Sequence, residues 1–79
     1  MGKENELIKT VKEMLKGHDI DKIFWDKKIG KVIVMTKPKS GVDGMYIFEN
    51  NLDRYRLFTP NEDFKTYHEI VQDNNLVYG

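Results

Sequence analysis

The chain has no cysteine among its 79 residues. Disulfide bonds, thiolate metal ligands and a thiol nucleophile are therefore excluded, while the redox compartment stays open. Long hydrophobic runs are also missing, because no run exceeds four apolar residues, against about 20 in a membrane-spanning helix. The opening segment MGKENELIKT lacks the apolar core of a signal peptide. We therefore expect a cytoplasmic protein that does not bind membranes.

Neither sign of charge dominates the chain. Thirteen basic and thirteen acidic residues balance to a formal net charge of zero. Their distribution is uneven, because residues 22–39 carry six lysines against Asp26 alone, whereas residues 49–73 carry six acidic residues against three basic ones. The chain is thus basic in the middle and acidic towards its end, which matters more for the choice of partner than the total charge.

The residues that are present suffice for one folded domain spanning residues 1–79. Hydrophobic residues make up 39% and charged residues 33%, and four Phe, four Tyr and one Trp can nucleate a core. A domain of this length buries only about 60–65% of the surface of its unfolded chain. We expect a folded domain with a thin margin of stability.

Two helices are predicted from the spacing of apolar residues. The first runs from about Glu4 to Lys16, where apolar residues recur at i, i+1, i+4, i+7 and i+8, and Gly17 ends it. The second starts after Thr59, which is followed by a proline at the first helical position, and it ends near Gln72. The side chains that it is expected to bury are Phe64, Tyr67, Ile70 and Val71.

Four strands are predicted between these helices, in the segments DKIFWD, KVIVMT, MYIFEN and RYRLFT. The intervening segments KKIG, KPKSGVDG and NNLD are rich in residues that favour turns. The tail LVYG either docks on the body or adds a short strand. The predicted fold class is α+β: a small two-layer sandwich of order αββββα, with a four-stranded antiparallel meander and both helices on one face.

The two faces of this sheet differ in their predicted cover. Side chains alternate between the faces of a strand, and the phase assigned to the core contains Ile23, Trp25, Val32, Val34, Tyr46, Phe48, Tyr55 and Leu57. On the opposite face, only Arg54 and Arg56 clearly interrupt the apolar side chains. These apolar side chains are Phe24, Ile33, Met35, Met45, Ile47 and Phe58. Four strands present about 300 Å² on each face, a size at which an exposed apolar patch tends to be functional.

Three arrangements would cover the second face: a helix on each face, the LVY tail folded beneath the sheet, or a protein partner. The tail is too short for six side chains. We favour the partner and predict a non-enzymatic interaction or regulatory module of the inhibitor or accessory type. It would bind another protein or form a homodimer with a second copy of itself. The predicted interface consists of Phe24, Ile33, Met35, Met45, Ile47 and Phe58.

An alternative function is single-stranded nucleic-acid binding by the hairpin at residues 22–31. Lysines around an aromatic ring combine phosphate contacts with base stacking, and the two arginines of the fourth strand extend the basic surface. The predicted set is Lys22, Trp25, Lys27, Lys28, Lys31, Arg54 and Arg56. Against it, Trp25 shares the phase of the core, no nucleic-acid-binding motif is present, and the net charge is zero.

Catalysis and metal binding have little support in the sequence. His18, Asp19 and Asp21 stand close together in HDID, but this spacing is not specific for a metal and no further ligand is apparent. Ser40 lies in PKSGVDG, which lacks both the G-x-S-x-G pattern of a nucleophile elbow and the pattern of a phosphate-binding loop. We predict no catalytic residue, no metal, no cofactor and no small-molecule substrate.

Overall fold

The computed structural model describes residues 2–37, 44–50 and 52–79. Helices and strands follow one another as α1 (Gly2–Met14), β1 (Ile20–Asp26), β2 (Lys31–Thr36), β3 (Met45–Glu49), β4 (Arg54–Leu57), α2 (Pro60–Gln72) and β5 (Leu76–Tyr78). The predicted α+β class is confirmed. The loop that contains Ser40 lies outside the described residues.

The sheet has five antiparallel strands in the order β4-β3-β2-β1-β5. The first four strands form the predicted meander. The fifth is the tail segment, which pairs with β1 through Leu76 opposite Phe24 and through the Trp25 N–H, which donates to the Asn75 carbonyl at 2.9 Å. The tail was expected either to dock on the body or to add a short strand, and it forms the short strand. The predicted count of four strands is therefore wrong by one.

The register of the meander agrees with the alignment expected from its alternating side chains. Val32 lies opposite Trp25 on one side and Phe48 on the other, and Phe48 lies opposite Tyr55. Gly30, with φ of 67°, supplies the left-handed residue between β1 and β2. The apolar strand segments therefore meet in register, as cross-strand pairing requires.

The α1 helix packs on one face of the sheet, which we call the α1 face. Its buried side chains Leu7, Val11 and Leu15 recur at helical spacing. They form one cluster with the buried strand residues Ile23, Val32, Val34 and Phe48. Gly17 follows the helix with φ of 97°, a conformation that strongly favours glycine.

The α2 helix packs on the opposite face, which we call the α2 face, so the prediction that both helices share one face is wrong. Its buried Ile70, with half-buried Tyr67 and Val71, contacts a separate cluster. The strand residues of that cluster are Phe24, Ile33, Ile47, Met35 and Met45. The molecule consequently has three layers, helix, sheet and helix, and its central strand β2 is covered on both sides.

An ion pair between β4 and α2 holds the helix on its side of the sheet, across a connection of only two residues, 58–59. Arg56 of β4 shares the α2 face with its cross-strand partner Ile47. From there its guanidinium binds the carboxylate of Asp63 in α2 through two hydrogen bonds of 2.7 and 2.8 Å. Arg56, which the sequence pattern shows only as a charge within an apolar face, is thus the residue that holds α2 over this face.

Candidate protein-interaction site

The apolar face predicted as an interface lies mostly inside the molecule. Ile33 and Ile47 are fully buried and Phe24 nearly so, beneath Ile70 of α2. Met35 and Met45 are half-buried against the same cluster. Half-buried Phe58 places its ring 5.7 Å from that of Tyr67. The premise of an uncovered sheet face is therefore wrong, because α2 supplies the cover that the prediction assigned to a partner.

The residues predicted to bind nucleic acid do not form one surface. Two strands separate β1 from β4, which places the two arginines about 14 Å from Lys22 and Trp25 of β1 in the plane of the sheet. Half-buried Trp25 packs against the cluster on the α1 face. Lys22 lies opposite Met35 on the α2 face, and Lys31 starts the strand that carries Ile33 on the same face.

Several of these cations already have acidic neighbours. The Lys27 ammonium lies 3.5 Å from the Glu4 carboxylate and 5.1 Å from the centre of the Trp25 ring, and the Lys22 ammonium lies 3.5 Å from Asp21. Lys28 is exposed beside them in the turn between β1 and β2. The hairpin thus offers a mixed surface of both signs rather than a purely basic one.

The β4 strand is one of the two edge strands of the sheet. All four of its residues are exposed. The Phe58 N–H donates to the Met45 carbonyl at 2.7 Å, and backbone groups alternate in direction along an antiparallel pair. The backbone groups of Arg54 and Arg56 therefore point towards β3, whereas those of Tyr55 and Leu57 point away from the sheet.

The same two residues expose large apolar side chains on the α1 face. Leu57 is 60% exposed and Tyr55 is 41% exposed. The Tyr55 ring packs 4.9 Å from that of Phe48 and 5.8 Å from that of half-buried Tyr46, and its hydroxyl donates to the Met14 carbonyl at 3.5 Å. Leu57 lies opposite Tyr46. We call Tyr46, Tyr55 and Leu57 the β4 edge surface.

Charged groups occupy the other side of β4. The Arg54 side chain is 73% exposed, and its Nε lies 3.8 Å from a Glu49 oxygen. Arg56 is bound to Asp63 and lies 3.6 Å from Glu49. One edge strand therefore presents apolar side chains on one face and guanidinium groups on the other.

Asp63 anchors the junction between β4 and α2. It is only 3% exposed, and its carboxylate also accepts the backbone N–H of Thr59, the residue before the helix, at 2.8 Å. The hydrogen bonds from Arg56 lower the pKa of Asp63 and outweigh its burial, which acts in the opposite direction. The same pairing raises the pKa of Arg56. Both groups therefore stay charged at neutral pH, and the edge strand is fixed to the helix.

Three of the exposed residues differ from their predicted place in the core. Tyr55 and Leu57 were expected beneath a helix, but α1 covers the middle strands and leaves β4 outside. Phe64 was expected to be buried by α2, yet it is 59% exposed and contacts the rings of Tyr67 and His68. The last strand of a meander lies at its edge, and that position is the sequence signal that identifies β4 as poorly covered.

The remaining polar candidates show no convergent arrangement. The His18 ring packs against Tyr46 at 5.4 Å. No three His, Cys, Asp or Glu side chains in the described segments 2–37, 44–50 and 52–79 lie close enough together to hold a metal ion. Within the same part of the chain, neither helix has the length and apolar character needed to cross a bilayer.

Comparison of the chain with known protein families, with curated proteins and with solved structures finds no match.

Proposed function

We propose that this protein is a non-enzymatic protein-binding module and that its contact surface is the β4 edge surface. One observation carries the proposal: Tyr55 and Leu57 expose large apolar side chains on a strand whose outer backbone groups are directed away from the sheet. Exposed apolar area in one patch is typical of an interaction site. An open strand edge offers in addition hydrogen-bonding groups for another chain.

The lack of charged side chains on the α1 face of this edge supports the proposal. Proteins usually guard an edge strand with charged side chains, a proline, a bulge or a very short length. The two arginines of β4 lie on the α2 face, where Glu49 and Asp63 bind them, so they do not screen the apolar side. The opposite edge strand β5 spans only three residues. The β4 edge is therefore the better candidate for a contact with another protein.

The distribution of charge favours this function over nucleic-acid binding. A site for single strands needs cations and an aromatic ring along one groove. Here Trp25 and the two arginines lie on opposite faces of the sheet and on strands that are not neighbours. The apolar surface at β4, in contrast, is continuous from Tyr46 to Leu57.

A photo-crosslinking amino acid placed at Leu57 tests the proposal in cells that natively express the protein. Ile29 is the matched control position, because it is also an exposed aliphatic residue, 49% exposed, but lies in the turn between β1 and β2. We expect one discrete protein adduct from position 57 and none from position 29. Mass spectrometry then shows whether the adduct is a second copy of the 9.3 kDa chain or another protein.

Two results would overturn the proposal. The first is the absence of any adduct from position 57, and the second is the same set of adducts from both positions. A Tyr55→Lys variant that carries the crosslinker at position 57 provides a further control. It should lose the adduct while its circular dichroism spectrum stays helical, because it places a charge in the exposed surface and removes the contact of the Tyr55 ring with Phe48, while every buried side chain stays in place.

A further inference from the structure

We infer, on the basis of the function proposed above, that the β4 edge binds an extended segment of a partner protein as an additional strand, and that this segment alternates apolar with acidic residues. The inference joins three observations on β4: the direction of its backbone groups, the apolar side chains on one face and the guanidinium groups on the other.

The backbone of β4 provides the attachment. The N–H and C=O groups of Tyr55 and Leu57 point outwards, since those of the alternate residues pair with β3. The Leu57 carbonyl already accepts a long hydrogen bond of 3.5 Å from Arg56 Nη1, but a carbonyl oxygen has a second lone pair. An extended peptide laid along this edge forms main-chain hydrogen bonds with both residues, and its side chains then alternate between the two faces of the enlarged sheet. Two residues facing outwards correspond to a segment of about four to five peptide residues.

The side chains of β4 select the composition of that segment. Its residues on the α1 face contact Tyr55 and Leu57, where apolar groups bury the exposed area. Its residues on the α2 face lie next to Arg54 and Arg56, where a carboxylate is favoured and a cation is disfavoured. Arg56 is already bound by Asp63 at 2.7 Å, whereas the exposed Arg54 has only Glu49 at 3.8 Å. Arg54 is therefore the residue that discriminates by charge.

A second copy of the chain fits this edge poorly. Antiparallel self-pairing about Arg56 places that residue opposite itself, and pairing about Tyr55 places Arg54 opposite Arg56 twice. Like charges directly opposite each other are destabilising. Pairing about Leu57 places Tyr55 opposite Thr59, whose N–H is already bound by the Asp63 carboxylate at 2.8 Å and so cannot complete the ladder. The geometry thus favours a different chain that brings carboxylates of its own.

Selection of a random peptide library displayed on phage against the full chain tests the inference. We expect enriched peptides in which apolar and acidic residues alternate. Fluorescence polarisation then measures the affinity of one enriched synthetic peptide for the wild type and for variants. Arg54→Glu should weaken binding by about threefold or more, and a peptide with each acidic residue replaced by lysine should bind this variant better than the wild type.

Lys28→Glu is the matched control for charge. It makes the same change at an exposed position in the turn between β1 and β2, far from β4 in the sheet. It should leave the affinity within about twofold, because solvent and salt screen charges at that distance.

N-methylation of the peptide backbone tests strand addition without changing the protein. Methyl groups on the alternate nitrogens that face β4 should weaken binding by about tenfold or more, because each removes a hydrogen bond and introduces a clash. Methyl groups on the other alternate set should have much less effect. A period of two is specific for an added strand, since a bound helix repeats every 3.6 residues.

The inference fails if no peptide is enriched, if enriched peptides lack the alternation of apolar and acidic residues, or if N-methylation shows no period of two. It also fails if Arg54→Glu and Lys28→Glu have equal effects. These failures are distinguishable from failure of the proposed function. A crosslink specific for position 57 without any bound peptide refutes strand addition and retains protein binding, whereas absence of the crosslink refutes the proposed function itself.

Discussion

Replacing Asp63 by asparagine perturbs the contact that joins the edge strand to its neighbouring helix. The carboxylate accepts hydrogen bonds from both terminal nitrogens of Arg56 and from the Thr59 N–H. Asparagine has nearly the same shape but is uncharged, and one of its two terminal atoms is a donor. It therefore breaks part of this network without creating a cavity.

The expected loss of stability follows from the burial of the two partners. Removing one member of a fully buried ion pair costs about 3–5 kcal/mol. The Arg56 side chain, however, is 42% exposed, so water solvates the guanidinium that is left behind. The range for hydrogen bonds to charged groups, about 1.5–3 kcal/mol, is the appropriate one. That is a large fraction of the roughly 4–12 kcal/mol expected for a domain of this size.

Urea denaturation at neutral pH, followed by circular dichroism, measures this loss. Asp53→Asn is the matched control, since it makes the same chemical change at an exposed residue in the turn before β4, and it should change the free energy of unfolding by less than about 0.5 kcal/mol. A loss for Asp63→Asn that does not exceed the control would refute the assignment of Asp63 as the anchor of this junction.

The remaining predictions concern the pH dependence of stability, core packing and backbone conformation. The folded-state pKa of Asp63 is below its ordinary value of 3.8, so the stabilisation by its carboxylate is present above that value and is lost as the pH falls through the folded-state pKa. Urea titrations at decreasing pH should therefore show a shrinking difference in unfolding free energy between the wild type and Asp63→Asn. A constant difference would contradict this account. Ile47→Ala should lower the free energy of unfolding by about 2–5 kcal/mol in the same assay. Leu57→Ala, at an exposed position, should lower it by less than about 1 kcal/mol, and equal losses would contradict the assignment of core and surface. Gly17→Ala should cost about 1–2 kcal/mol because its φ is 97°, while Gly44→Ala meets only ordinary contacts at 3.4 Å or more and should be nearly neutral.

Local patterns in the sequence were sufficient to predict much of the fold. Helical spacing locates α1, Thr59 and Pro60 mark the start of α2, and period-two alternation sets the register of the first four strands. These features depend on neighbouring residues of the chain, which is why they can be read directly. The sequence allows two outcomes for the tail, because three residues carry too little pattern to distinguish a strand from a docked tail.

The side of the sheet on which α2 packs could not be read from local patterns. A two-residue connection permits either side, and the choice depends on an ion pair between Arg56 and Asp63 that sequence periodicity does not reveal. Once both helices were assigned to one face, Ile33 and Ile47 appeared uncovered and the candidate interface was placed there. With one helix on each face, the most exposed apolar residues of the strands are instead Tyr55 and Leu57 at the edge.

The bond between Arg56 and Asp63 makes the first turn of α2 sensitive to events at the rim of the sheet. A chain that restrains β4 also restrains the arginine, and through it the carboxylate that holds the Thr59 amide. Slower amide hydrogen exchange at the start of the helix would therefore report occupancy of the β4 edge surface, whose side chains lie on the opposite face of the sheet. Binding of a partner at the β4 edge would in this way change the local stability of the first turn of α2.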